Sequence, residues 1–170
     1  MAIISSGTTI IDNGSLASGV GGKVLQIVQT EKTDVYSQTA ASWTDITGLS
    51  VQITPTSASN KIYVQVVLNA SKQNGGGNGS FRLLRDATVV GAGTSGSSYN
   101  GFGMTDQLVD YNTMSVKVNN YLDSPSSTSL LTYKVQLYNI TTSYTSYVNR
   151  RHGGTGHGAN STITVMEIAG

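Results

Sequence analysis

The chain holds two histidines, His152 and His157, five residues apart in the glycine-rich segment NRRHGGTGHGAN (149–160). Zinc-binding pairs on a helix sit four apart, and ligands on one strand face sit two apart, so this spacing fits neither pattern. The two rings reach one ion only if the loop folds back or if subunits meet on a symmetry axis. No carboxylate neighbours them to orient the imidazoles. The expectation is two solvated loop histidines, with no metal and no cofactor. Seven Asp and two Glu are scattered singly, Asp106 and Asp110 being the closest Asp pair. This pair makes no convincing dyad for glycoside hydrolysis, which needs two carboxylates about 5–9.5 Å apart, and only distant residues converging in the fold would supply one. GGGNG (75–79) has no Lys-Ser/Thr after it and opens no helix, so it is no phosphate loop. No G-x-S-x-G elbow is present. Catalytic residues are therefore expected to be absent, and the chain is read as a non-enzyme.

Arg150 and Arg151, beside His152, form the one basic cluster. Such a pair either caps carbonyls or pairs with an Asp, or else it makes a patch for sialylated or phosphorylated glycans. Five Asn-x-Ser/Thr sequons (Asn13, Asn69, Asn78, Asn139, Asn160) are what chance gives in a chain this rich in Asn, Ser and Thr. Among nine tyrosines, Tyr63 and Tyr138 fall on strand faces that point away from the core. Tyrosine combines an apolar body with a polar handle and is enriched at interfaces; the alternative is cover by loops or by an arm. Tyr99 joins them as a candidate for interface or surface recognition. Trp43, just before a strong strand, is expected in the core or at its rim.

Gly, Ser, Thr and Asn make up 75 of the 170 residues, and only 11 % are charged, with a formal net charge of +1. Ordinary soluble domains carry roughly 25 % charged residues. Near-neutrality lacks the basic stripe of a nucleic-acid binder. No apolar run is long enough to form a membrane-spanning helix, and residues 1–22 do not read as a signal peptide. No nucleic acid and no membrane are expected as partners. With no cysteine, stability rests on packing, with oligomerisation a further source.

From Lys23 onward the hydrophobic period is two. Ile62, Val64, Val66 and Leu68 alternate with polar residues, as do Leu49, Val51 and Ile53, and again Leu131, Tyr133, Val135 and Leu137. Met114, Val116, Val118 and Leu122 share another face. Residues 23–30, a run marked by Phe81 and Leu83, and 161–168 supply further strands. Thr47-Gly48, 54–60, Asp86-Ala87 and 123–129 read as the turns between them. Eight to ten short strands give an all-β fold, an antiparallel two-sheet sandwich of jelly-roll type, with an eight-stranded barrel as the rival. Residues 23–170 form this single domain. Residues 1–22 read as an extended N-terminal arm whose pairs Ile3-Ile4 and Ile10-Ile11 have no core of their own and lie on a neighbouring subunit. The segments 71–80, 91–103 and 149–160 are long glycine-rich loops.

Six ordered blocks, GGKVLQIVQTEKTD (21–34), SWTDITGLSVQITPTSASNKIYVQVV (42–67), FRLLRDATVVG (81–91), YLDSPSSTSLLTYKVQLY (121–138), YVNRR (147–151) and STITVMEI (161–168), resemble a β-sandwich domain of tailed-phage virion proteins, particularly those of marine and cyanobacterial phages. The resemblance implies a trimerising surface protein, either a capsid decoration (cement) protein or a tail fibre. With only about twenty residues ahead of the sandwich, too few for a shaft, the decoration role is expected. The arm (Ile3, Ile4, Ile10, Ile11) would contact capsid or subunit, the partners being two further copies and the major capsid protein. The protein would be assembled in the host cytoplasm and carried on the outer surface of the particle. A tail-fibre tip holding a host glycan is the alternative, and a polysaccharide depolymerase a remote one.

Overall fold

A computed structural model describes residues 23–73, 78–94, 99–104, 113–153 and 158–170, together with the backbone of three short strands between residues 3 and 16. Those three are β1 (Ile3–Ser5), β2 (Thr8–Asp12) and β3 (Ser15–Leu16). The arm expected to run extended therefore folds back on itself as an antiparallel meander, a sheet separate from the sandwich. The side chains of Ile3, Ile4, Ile10 and Ile11, and all of Asp106, Asp110 and His157, lie outside the described residues.

The remaining strands are β4 (Val24–Lys32), β5 (Tyr36–Gln38), β6 (Thr44–Ile53), β7 (Lys61–Lys72), β8 (Gly79–Arg85), β9 (Thr88–Val90), β10 (Gly103–Met104), β11 (Ser115–Asp123), β12 (Leu131–Asn139), β13 (Ser146–Val148) and β14 (Ser161–Ile168). No helix occurs among the described residues. The strands form two antiparallel sheets packed face to face, so the two-sheet sandwich is found and the barrel is not. One sheet has five strands in the order β10-β8-β12-β6, with β9 also on β8. The other has six, β4-β14-β7-β13-β5, with β11 on the far edge of β7.

The alternating apolar residues meet between the sheets. Ile62, Val64, Val66 and Leu68 of β7, with Ile163 and Val165 of β14, pack against Leu49, Val51 and Ile53 of β6, Phe81 and Leu83 of β8, and Tyr133, Val135 and Leu137 of β12. Two features depart from simple alternation. Thr47-Gly48 is not a turn: β6 runs through it, and Gly48 has φ +82°. Ile46 and Leu49 are both buried, and the pairing with β12 slips between Lys134 and Gln136. Five steps along β6, from Ser50 to Asp45, face two along β12, so three extra residues are accommodated here, and an odd number reverses the in-out parity of everything before it. Trp43 and Asp45, which share odd numbering with Leu49, are thereby turned from the core to the outer face.

The second departure is β11. Its apolar residues Val116, Val118 and Leu122 are 56 %, 52 % and 49 % exposed. Alternation marks two faces but does not say which meets the core, and here the pairing with β7 decides. Val118 stands opposite Val67 and Leu122 opposite Tyr63, both on the outer side.

Polar ties between distant segments close both ends of the core. At one end, Glu167 and Asp123 flank Ile62 in a single inner row. Glu167 is fully buried. It accepts from Gln26 Nε2 (2.6 Å), Thr56 N (2.6 Å), Thr56 Oγ1 (2.8 Å) and Asn60 Nδ2 (2.6 Å). Burial alone would raise its pKa, but the donors from Asn60, Gln26 and Thr56 outweigh it and hold the carboxyl down to about 2. At the other end Asn149, fully buried with φ +63°, donates to the carbonyl of Lys32 (2.7 Å) and accepts from Ser161 Oγ (2.6 Å).

Candidate functional site

The parity reversal at Gly48 builds the most chemically distinctive surface of the molecule, on the outer face of the five-stranded sheet. Asp45 pairs in register with Gln136, and Gln136 with Arg82. Gln136 donates to Asp45 Oδ1 (2.6 Å), Lys134 donates to Asp45 Oδ2 (2.8 Å), and Arg82 Nε donates to Gln136 Oε1 (2.8 Å). Burial opposes the charge on Asp45, yet the Lys134 and Gln136 donors and the nearby Arg82 prevail and lower its pKa. Alongside this polar row stand three rings. Trp43 and Tyr138 have centroids 5.4 Å apart at 53°, and Tyr138 and Tyr99 are 5.1 Å apart at 54°. The Arg82 guanidinium lies 4.2 Å from the centre of the Trp43 ring, a cation–π contact that fixes the indole. Trp43 and Tyr138 are half-buried, and Tyr99 is 37 % exposed.

Two of the tyrosines singled out in the sequence, Tyr99 and Tyr138, are thus brought together. Trp43, Arg82 and Asp45 were not foreseen there. Trp43 is not in the core, because the irregularity in β6 that turns it outward leaves only a glycine in the sequence as its mark.

Tyr63 belongs to the opposite side of the molecule. It lies on the outer face of the six-stranded sheet, in a cross-strand row Ile27–Met166–Tyr63–Leu122 that runs over four strands. Ile27 is 60 % exposed, Met166 and Tyr63 half-buried. The next row carries amides and a hydroxyl, Gln29–Thr164–Gln65–Asn120, joined by Gln29 to Thr164 (2.8 Å) and Gln65 to Asn120 (3.2 Å). Beyond it lie Glu31, Thr162, Val67 and Val118, then Asn69 and Val116. Across these four rows Glu31 is the one charged side chain.

Arg150, Arg151 and His152 stand apart from both faces' centres. The Arg150 guanidinium lies 4.5 Å from the Tyr147 ring centre, and that ring stacks on His152 with centroids 5.8 Å apart. Arg150 donates to the carbonyls of Arg151 (3.2 Å) and His152 (3.4 Å). Arg150 thus caps two carbonyls of its own segment. Among the described residues no group of three or more His, Cys, Asp or Glu could hold a metal ion.

A cleft of about 680 Å³ opens where the β8–β9 edge approaches β11, lined by Arg85, Gly91, Asn100, Tyr121, Asp123 and Ser124. Asp123 at its floor accepts both contacts from Arg85 Nη1 (2.8 and 2.6 Å) and the Tyr133 hydroxyl (2.7 Å). Burial, followed by the Asp123 charge, pushes the Tyr133 pKa far up, so the phenol stays a donor. With these bonds made, Asp123 serves to tie one sheet to the other. No helix of the described residues is long and apolar enough to cross a membrane. No family model matches the chain, and no curated protein matches it.

Proposed function

We propose that the chain is a structural protein of a phage virion, a trimeric decoration protein that binds the outer surface of the assembled head and stabilises it. The observation that carries this reading is the apolar row Ile27–Met166–Tyr63–Leu122, with Val118 and Val116 beyond a row of uncharged amides, on a sheet face whose charged residues in these rows and the one flanking Tyr63 are Glu31 and Lys61. Monomeric soluble proteins rarely leave a large contiguous apolar surface in water, and such patches mark contact sites. The tailed-phage resemblance supplies the partner class, and an arm lying outside the sandwich supplies a second contact.

Binding the assembled shell but not the loose subunits stabilises the shell by mass action. Three weak contacts around one axis add through effective concentration. The arm is tested by deleting residues 1–20. The expected product is a sandwich with unchanged unfolding behaviour that no longer co-sediments with particles. Full binding by the truncated protein would remove the arm from the mechanism.

A further inference from the structure

We infer that the outer face of the five-stranded sheet is a carbohydrate site for a neutral pyranose with vicinal hydroxyls. The site consists of Tyr99 and Tyr138 as stacking rings, Asp45 and Lys134 as hydroxyl partners, and Trp43 and Arg82 as the fixed wall behind them.

Three observations converge. The rings of Tyr138 and Tyr99, 5.1 Å apart and tilted 54°, are inclined to each other and do not form one flat apolar patch. Aromatic faces of this kind take the C–H side of a sugar ring, while a flat partner would leave one ring unused. Second, hydrogen-bonding capacity remains beside the rings. A carboxylate has about four acceptor positions and an ammonium three donors. Asp45 uses two of its acceptors, on Lys134 and Gln136, and its side chain is 50 % exposed; the Lys134 side chain is 26 % exposed and is spent once here. A carboxylate next to an ammonium suits a pair of adjacent hydroxyls, one donating and one accepting. Third, the spacing fits: successive outward residues on a strand are about 7 Å apart, so the aromatic row and the Asp45–Gln136–Arg82 row can be spanned by one sugar ring.

Single-stranded nucleic acid also uses aromatic stacking, but it needs a groove positive along its length, and Asp45 stands where a phosphate would have to pass. The face lies on the side of the sandwich opposite the apolar row, so both surfaces can be occupied at once. The inference does not depend on the assembly role.

Trp43 is the single tryptophan of the chain, which makes its emission a direct reporter of the site. The intact protein would be titrated with a panel of neutral hexose and N-acetylhexosamine trisaccharides, and separately with an oligothymidine. At least one trisaccharide is expected to shift Trp43 emission saturably with a Kd of about 1 mM or tighter. Asp45→Ala and Tyr138→Ala are each expected to weaken that binding at least about tenfold, roughly 1.4 kcal/mol. Asp45→Ala, at an exposed position, should keep the wild-type melting curve, which separates lost binding from lost folding. No saturable response to any trisaccharide, a response to oligothymidine alone, or unchanged affinity in the Asp45→Ala variant would each overturn the assignment.

Discussion

Replacing Glu167 with alanine is expected to cost about 3 kcal/mol of folding stability, because it removes a fully buried acceptor shared by four donors, among them the buried Asn60 amide. The carboxylate is the common acceptor for Gln26 on β4, Thr56 and Asn60 in the loop after β6, and it sits on the inner side of β14. Without it the Thr56 amide loses its acceptor, Asn60 Nδ2 keeps only Thr56 Oγ1 (3.2 Å), and Gln26 Nε2 keeps only the Thr54 carbonyl (2.8 Å). For a domain of this size the loss corresponds to a drop in Tm of roughly 6–12 °C, to be read from thermal and urea melts together. A loss below about 1 kcal/mol would mean the loop and strand hold without the tie.

The same group sets an acid limit. The Glu167 pKa falls on folding from an ordinary 4.5 to about 2, so the unfolded chain binds the proton more tightly. Stability from this group is therefore complete above about pH 4.5 and is lost as the pH falls toward 2. Glu167→Gln should flatten that part of the pH profile while lowering stability at neutral pH.

The second large effect is expected on assembly. Ile27→Lys combined with Leu122→Lys places two ammonium groups at opposite ends of the apolar row, on side chains 60 % and 49 % exposed in the isolated molecule. Surface substitutions of this kind change folding by about 0.5 kcal/mol or less. At a protein interface, burying two unpaired charges in the contact costs 2 kcal/mol or more, so affinity for particles should fall about 30-fold or further. Quantitative co-sedimentation of the folded variant measures it. Wild-type binding would show that the six-stranded face is not the contact surface.

These two predictions rest on features that differ in how visible they are in the sequence. The inward faces of β7, β12 and the second half of β6 follow directly from strict alternation between turn signals, as Ile62–Leu68 and Leu131–Leu137 illustrate. The outward direction of Val116, Val118 and Leu122 does not, because period two is the same whichever face is buried. Only the register of β11 on β7 settles it. Trp43 shows the effect of one irregularity: the three extra β6 residues around Gly48 reverse parity, so a tryptophan expected in the core or at its rim stands on the outer face against Arg82. The ties made by Glu167 and Asn149 were not legible, since their partners lie 107 to 141 and 12 to 117 positions away, and single buried polar residues carry no periodic signal. The aromatic site was half legible. Tyr99 and Tyr138 could be named from residue type, whereas their meeting depends on a loop returning to the sheet.

The central claim is that the protein coats a shell, and the copy number of the chain relative to the major capsid protein in purified particles tests it most directly. Quantitative mass spectrometry of purified particles gives that ratio. The account predicts a near-stoichiometric value, as expected of trimers repeated over the whole head. A ratio of a few per cent would contradict shell-wide decoration and place the protein at the tail or a single vertex, and complete absence from particles would contradict the structural role itself.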